Sequence, residues 1–254
     1  MKLKKNTLFF TALFAFSTAT ISPVVYADNE SQFNQGFEAT EKGDYQTAYN
    51  LWKPLAEQGF ASAQFNLGLM YNNGLGVKQD YHQAVKWFTL AAEQGDAKAQ
   101  YNLGVMYNNG EGVKQDYHQA VKWYTLAAEQ GEAIAQHNLG VMYNNGEGVK
   151  QDYHQAVKWY TLAAEQGEAM AQHNLGVMYN NGEGVKQDYH QAVKWYTLAA
   201  EQGEAMAQTN LGIMYRLGLG VKQDISKAKY WASQACKGGN QDGCEVLAML
   251  EEGI

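Results

Sequence analysis

Apolar and polar positions repeat along most of the chain with a fixed period of 36 residues. The block Ala61 to Asp96 recurs with starts at Ala97, Ala133, Ala169 and Ala205. A period of this length is typical of repeat architectures, in which one unit cannot bury its apolar face alone. We number the positions of a unit from 1 to 36, starting at Ala61.

The first part of each unit has the pattern of a helix. Positions 3, 7, 10 and 11 are Ala63, Leu67, Met70 and Tyr71, and they fall on one side of a helix with 3.6 residues per turn. Gly74 follows them, and glycine can take the left-handed conformation that closes a helix. The sequence therefore predicts a first helix that ends at this glycine.

The second part of each unit has the pattern of another helix. Asp80 has the place of an N-cap residue, with Gln83 three residues later as in a capping box. One stripe of apolar side chains follows, and Gly95 ends it. The stripe consists of Tyr81, Ala84, Val85, Phe88, Ala91 and Ala92, with Trp87 at its edge. The five tryptophans at this last position are expected in the core.

Two helices per unit, each with one apolar stripe, predict an all-α fold, an α/α solenoid in which neighbouring units bury each other. Five full units occupy 61–96, 97–132, 133–168, 169–204 and 205–240. Residues 28–60 read as an N-terminal capping helix pair with a shortened linker. Residues 241–254 read as a C-terminal capping helix.

The N-terminus has the features of an export signal. Lys2, Lys4 and Lys5 precede an apolar stretch, Leu8 to Ile21, and cleavage is expected near Ala27, so that residues 1–27 form a signal peptide. A membrane anchor is the alternative, but the apolar stretch is short for a span of about 20 residues. We expect a periplasmic or secreted protein with no integral membrane segment after cleavage.

Charge narrows the choice of partner. Three of the 19 basic residues and none of the 26 acidic ones lie in residues 1–27, which leaves 16 − 26 = −10 for the remainder. Nucleic acids and anionic membranes attract basic surfaces, so neither is expected as a partner.

The pattern A-x-A-Q-x-N-L-G-x-M-Y-x-x-G-x-G-V-x-x-D-Y-x-x-A-x-x-W-x-x-x-A-A-x-Q-G resembles the Sel-one-like repeat, a relative of the tetratricopeptide repeat. The resemblance covers Ala61 to Asn240 in five copies and extends to the half-unit before them. It implies a right-handed superhelix of helix pairs whose concave face holds a protein or peptide, with no cofactor. Many bacterial members of this family are exported. We expect a monomer that is not an enzyme.

The two cysteines extend the resemblance. Cys236 and Cys244 form a C-x7-C pattern that is similar to the disulfide-bearing repeats of the cysteine-rich Hcp-type proteins. The resemblance implies a disulfide between a second helix and the following first helix. In an exported chain, two cysteines favour a disulfide over free thiols or a metal site, which needs four ligands.

Positions that differ between the copies indicate where a partner binds. The segment Lys114–Glu132 returns unchanged as Lys150–Glu168 and Lys186–Glu204, so variation elsewhere is informative. Positions 2, 5, 9 and 12 of the first helix lie opposite its core stripe, a face that lines the concave groove in tetratricopeptide-like solenoids. Positions 2, 5 and 12 are our candidate partner-binding residues: Ser62, Lys98, Ile134, Met170 and Met206; Phe65, Tyr101, His137, His173 and Thr209; Asn72, Asn108, Asn144, Asn180 and Arg216.

Structural explanations compete with this assignment. Position 9 is apolar in every copy and could contact a neighbouring helix instead, and the Asn residues could serve the turn that follows them. His137 and His173 lie one repeat apart, but no further metal ligand is evident beside them, so no metal site is predicted. His82 and its three equivalents are expected on the solvated surface.

An enzymatic alternative comes from the Hcp-type resemblance, because such relatives have been associated with penicillin-like compounds. Ser226 and Lys229 form an S-x-x-K pattern, but the S-D-N and K-T-G elements of serine β-lactamases are absent. Ser226 also occupies the surface position of His82. We predict no catalytic residues and keep a penicillin-binding or weak β-lactamase-like protein as the alternative function.

Overall fold

A computed structural model describes residues 23–253 of the chain, with side chains from Asp28 onward. Within this range the protein has thirteen helices and no strand. The helices are α1 Pro23–Glu41, α2 Tyr45–Glu57, α3 Ala61–Asn73, α4 Tyr81–Glu93, α5 Ala97–Asn109, α6 Tyr117–Glu129, α7 Ala133–Asn145, α8 Tyr153–Glu165, α9 Ala169–Asn181, α10 Tyr189–Glu201, α11 Ala205–Leu217, α12 Ile225–Lys237 and α13 Gln241–Glu252. The predicted all-α solenoid is confirmed.

Helix ends follow from the capping residues that the sequence repeats. The Asp80 carboxylate accepts the backbone N–H of Gln83 at the start of α4, at 3.1 Å. Gly74, with φ of 69°, ends α3 in the left-handed conformation, and its N–H donates to the Met70 carbonyl. Each device satisfies backbone groups that a helix end leaves without an intrahelical partner.

The second glycine of each linker lies against the preceding repeat. A Cβ placed on Gly148, whose φ is 66°, would lie 2.3 Å from the carbonyl oxygen of Tyr117 at the start of α6. The same close approach recurs at the other linkers, with Gly76, Gly112, Gly184 and Gly220. Only glycine allows both this backbone conformation and this contact.

The core is a row of similar clusters, each shared by neighbouring repeats. One cluster joins Phe88 of α4, Leu103 of α5 and Trp123 of α6, with alanines between them. The predicted core role of Trp87, Trp123, Trp159 and Trp195 is confirmed by their burial, whereas Trp231 is half-buried at the edge of the core. Because each cluster reaches only the adjacent unit, the molecule is stabilised by nearest-neighbour contacts.

Buried glutamines at position 4 also join adjacent repeats. Gln136 Nε2 donates to the Ala128 carbonyl at the end of the preceding second helix, at 3.0 Å. Its Oε1 accepts from Gln166 Nε2 of its own repeat, at 2.8 Å. Gln64, Gln100 and Gln172 make the equivalent pair of bonds, so the buried amides are satisfied along the array.

The C-terminal end is closed by α13, which packs against α12 and α11. Cys236 of α12 and Cys244 of α13 are joined by a disulfide, so the predicted bridge is confirmed. At the other end, α1 and α2 pack through Phe33 and Trp52, and Trp52 Nε1 donates to the Phe33 carbonyl at 3.0 Å.

Most of the predicted signal peptide, residues 1–22, lies outside the described residues. The expected cleavage point near Ala27 falls within the range of α1. Among the helices described, none has the length and hydropathy of a membrane span.

Candidate functional site: the exposed face of the first helices

Position 2 presents side chains to solvent in every copy. It lies in the first turn of each first helix, where Ser62 and Lys98 are exposed. The next three copies place large apolar side chains there: Ile134, Met170 and Met206 expose 52%, 49% and 45% of their surface. Three exposed apolar residues on successive units form a row, which we call the position-2 row.

Position 5 corrects the sequence analysis. His137, His173 and Thr209 are buried, with 6%, 8% and 5% of their surface exposed, and Phe65 and Tyr101 are half-buried. The four ring side chains pack on the aromatic ring of their own second helix, as His137 does on Tyr160 with ring centroids 5.9 Å apart, whereas the fifth repeat has Ala232 in place of that ring. Position 5 therefore contributes to helix packing and offers a partner little surface in the last three repeats.

The buried histidines connect one repeat to the next through asparagines. Asn174 Nδ2 lies 3.0 Å from His137 Nε2, and Asn210 Nδ2 lies 3.1 Å from His173 Nε2. An amide NH2 group can only donate, so each imidazole Nε2 accepts and the proton of the neutral ring is on Nδ1. Thr209 makes a different contact, since its hydroxyl donates to Oδ1 of Asn240, the N-cap residue of α13, at 2.9 Å.

Burial also changes the pKa values of the position-5 histidines and of the tyrosines that pack against them. Desolvation lowers the pKa of His137 below its usual range, although the negative charge of Glu168 acts in the opposite direction. The pKa of His173 is lowered for the same reason, with Glu204 opposing. Burial raises the pKa of the Tyr160 and Tyr196 phenols. The cluster is therefore neutral in the folded protein at neutral pH.

Sequence reasoning missed the asparagines at position 6 and the glutamines at position 4. Asn138, Asn174 and Asn210 lie between successive repeats, half-buried. Asparagine is a poor helix former, and it stands in the middle of every first helix. That unvarying polar residue was the available signal, because a buried amide must have a hydrogen-bond partner.

Positions 9 and 12 both take part in the scaffold. Val141 packs against the cluster formed by α8, α9 and α10, so position 9 contributes to the core. At position 12 the side chain of Asn144 donates to Asn145 Oδ1, and its carbonyl accepts from Gln151 Nε2 of the linker at 2.7 Å. Asn72, Asn108, Asn180 and Arg216 have the same linker bond at their carbonyls, and all five side chains are half-exposed.

The residues considered for catalysis lie on α12, and the histidines expected at the surface lie on the other second helices. Ser226 is exposed at the start of α12, and Lys229 follows on the same helix. Within residues 23–253, no group of three His, Cys, Asp or Glu side chains could hold a metal ion. His82, His118, His154 and His190 are exposed, as expected.

The fold defines a class of protein, the α/α solenoids built from helix-pair repeats. The family model of the Sel1 repeat matches residues 33–60, 61–96, 97–132, 133–168, 169–204 and 205–240. The chain belongs to the Sel1 repeat family, and the resemblance found in the sequence is confirmed. Sel1 repeat proteins are generally protein-interaction scaffolds.

Solved structures of bacterial Sel1 proteins are similar to the chain. A protective antigen of uropathogenic Escherichia coli with an SLR fold is 40% identical, with a TM-score of 0.85 over 91% of this chain and 50% of that one. This chain thus spans half the length of that relative. A Sel1 repeat protein from Oxalobacter formigenes is 36% identical, with a TM-score of 0.80 over 86% of this chain and 87% of that one. The search of curated proteins finds no match.

Proposed function

We propose that the protein is an exported scaffold that binds a polypeptide partner on the concave face formed by its first helices. The observation that carries this proposal is the position-2 row, Ile134, Met170 and Met206, each about half exposed. Large apolar side chains that remain exposed in a row, next to polar ones, are typical of an interaction surface.

The contrast between position 2 and the rest of the unit supports the proposal. Other segments of the unit are copied without change, whereas position 2 runs from Ser62 and Lys98 to the three apolar residues. Packing cannot explain this variation, because all five side chains are exposed. A ligand that contacts the row would meet a polar end and an apolar end, which fixes its direction along the array.

The chemistry of the row favours a polypeptide. Methionine is flexible and polarizable, and such side chains adapt to apolar groups of a partner. Half-exposed asparagines at position 12 add groups that can both donate to and accept from a peptide backbone. The negative balance of the chain after residue 27 supports a partner other than nucleic acid or an anionic membrane.

Export is the second part of the proposal. The charged and apolar segments of residues 1–27 support it, and so does the disulfide between Cys236 and Cys244, since such bonds persist in oxidising compartments. Periplasm and extracellular space are both compatible with these features.

Partner recovery from an envelope extract of the source cells tests the binding face. Ile134, Met170 and Met206 are replaced together by lysine, which leaves the fold unchanged because the three side chains are exposed. Recovery of the specific partner should fall at least about tenfold, as expected when a central apolar contact is lost.

The chain itself offers a matched control. Leu126, Leu162 and Leu198 expose 37%, 38% and 37% of their surface and lie on the second helices of three consecutive repeats. Their replacement by lysine makes the same change of charge and should leave recovery as in the wild type. Equal loss in both variants, or loss in the control alone, would rule out the position-2 row as the binding surface.

A further inference from the structure

Position 5 is a histidine in only two of the five repeats, and the other three have a side chain without an imidazole there. These are Phe65 and Tyr101 in the first two repeats and Thr209 in the last. His137 and His173 therefore distinguish the third and fourth repeats. Neither histidine belongs to the position-2 row, because both are buried.

Each histidine joins its repeat to the next one. The bond between His137 and Asn174 connects the third repeat to the fourth, and the bond between His173 and Asn210 connects the fourth to the fifth. Both bonds need an unprotonated Nε2, because the partner nitrogen can only donate. Protonation of Nε2 would place its N–H against the N–H of the asparagine amide. The two groups could bond again only if the amide rotated to present its oxygen.

We propose that these two histidine bridges make the stacking of the third, fourth and fifth repeats sensitive to acid. At neutral pH the neutral imidazoles bond across both junctions. On acidification the buried rings gain charge, and the bridges lose their acceptors. The junctions between the third, fourth and fifth repeats then open more easily than the junctions elsewhere in the array.

The groups around each ring set the balance of charge. His137 faces Tyr160 of α8, Asn138 of its own helix, and both Glu168 and His173 at α9. Burial outweighs the attraction of Glu168, so the pKa of His137 lies below its usual range, and a charge on His173 lowers it further.

The surroundings of His173 are equivalent to those of His137. It faces Tyr196 of α10, Asn174 of its own helix and Glu204 at the start of α11. Two imidazoles one repeat apart that disfavour each other's charge take up their protons in two separate steps, so the two bridges should be lost one after the other as the pH falls.

The direction of the effect follows from proton linkage. A histidine with a lowered pKa in the folded state binds its proton more readily in the unfolded state, so the free energy of unfolding falls as the pH falls. The stabilisation is complete above the unfolded pKa of about 6.5 and is lost progressively below it. Because repeats are stabilised by neighbours, the loss is local.

Tyr101 supplies a matched replacement. Its ring lies 6.0 Å from that of Tyr124 with an interplanar angle of 34°, whereas His137 and Tyr160 have 5.9 Å and 35°. Asn138 of the next repeat lies close enough to Tyr101 to oppose the effect of burial on the pKa of its phenol. Replacing His137 and His173 by tyrosine should keep the fold and the packing at the junction but remove the titration near neutral pH.

Thermal unfolding between about pH 8 and pH 5 tests the proposal. The wild type should lose about 2–4 °C more in Tm over this range than the His137→Tyr/His173→Tyr variant. A control with exposed histidines replaced, His154→Gln/His190→Gln, should keep the wild-type profile. Equal pH profiles for the wild type and the tyrosine variant would overturn the proposal.

Amide hydrogen exchange and NMR of the imidazole nitrogens give a second, independent test. In the wild type, protection should fall with acid in α7 to α11 before it falls in α3 and α4, and both Nε2 atoms should be unprotonated acceptors at neutral pH. Protonated Nε2 atoms at neutral pH, or uniform loss of protection along the array, would contradict the assignment.

A consequence for binding rests on the proposed function. Ile134, Met170 and Met206 lie on the helices α7, α9 and α11, which the two bridges connect. A partner on this row should therefore dissociate more readily in acid from the wild type than from the tyrosine variant. The unfolding experiment needs no partner, so the two claims can fail separately.

Discussion

At the scale of single residues, the second glycine of each linker allows two repeats to approach closely because it has no side chain. Gly148 has a positive φ, and its backbone lies directly against the start of α6. Gly131 also has a positive φ, of 95°, but nothing lies within 4 Å of a Cβ placed on it. The two positions separate the effect of backbone conformation from that of close approach.

We predict that Gly148→Ala destabilises the protein more than Gly131→Ala. Both variants strain a left-handed backbone, at a cost of about 1–2 kcal/mol. Gly148→Ala adds a clash with the Tyr117 carbonyl, which should cost about 1–3 kcal/mol more. Chemical denaturation of both variants measures the difference, and equal losses would contradict the close contact between linker and helix.

The residue scale is also where the sequence misled. The core stripe at positions 3, 7, 10 and 11 was predicted: Ala63, Leu67 and Met70 are buried, and Tyr71 is half-buried against the same core. Position 5 was placed opposite this stripe because a helical wheel considers one helix at a time. In the array a first helix has neighbours on several sides, so His137 contacts both Tyr160 of its own repeat and Asn174 of the next.

At the scale of elements, local signals were sufficient for the helix pairs. Asp80 caps α4 and Gly74 ends α3, as their places in the sequence predicted. The bonds of Gln136 and the bridges of His137 lie between elements of different repeats. They could not be derived from one helix, because they depend on how adjacent repeats are placed against each other.

The disulfide is the element-scale device at the C-terminal end. It joins α12 to α13 across a separation of eight residues. Replacing Cys236 and Cys244 together by serine should reduce the stability of this end by roughly 2–3 kcal/mol, because the short loop gains entropy when it opens. Hydrogen exchange should show the loss of protection in α13, with α3 and α4 unchanged as the internal control.

The prediction depends on where along the array the hydrogen-exchange protection is lost. Nearest-neighbour stabilisation confines the effect of a local change to adjacent units. A loss spread evenly from α1 to α13 would mean that the array unfolds as one cooperative unit, contrary to the row of separate core clusters.

At the scale of the whole molecule, the protein combines a copied scaffold with a few varied surface positions. The clusters, glutamines and linker glycines recur because each repeat must stack on the next in the same way. Ile134, Met170 and Met206 have no such constraint, since they are exposed. The 36-residue period could be predicted from the sequence, whereas the choice among positions 2, 5, 9 and 12 required the packing of the array.

Binding at the position-2 row is the central claim, and site-specific photo-crosslinking tests it most directly. A benzophenone amino acid is placed at Met170 in one protein and at Leu162, an exposed residue of the preceding second helix, in another. Irradiation in the source cells, followed by mass spectrometry, should give a discrete polypeptide adduct at Met170 and little at Leu162. Adducts of equal yield at both positions, or at Leu162 alone, would contradict the account.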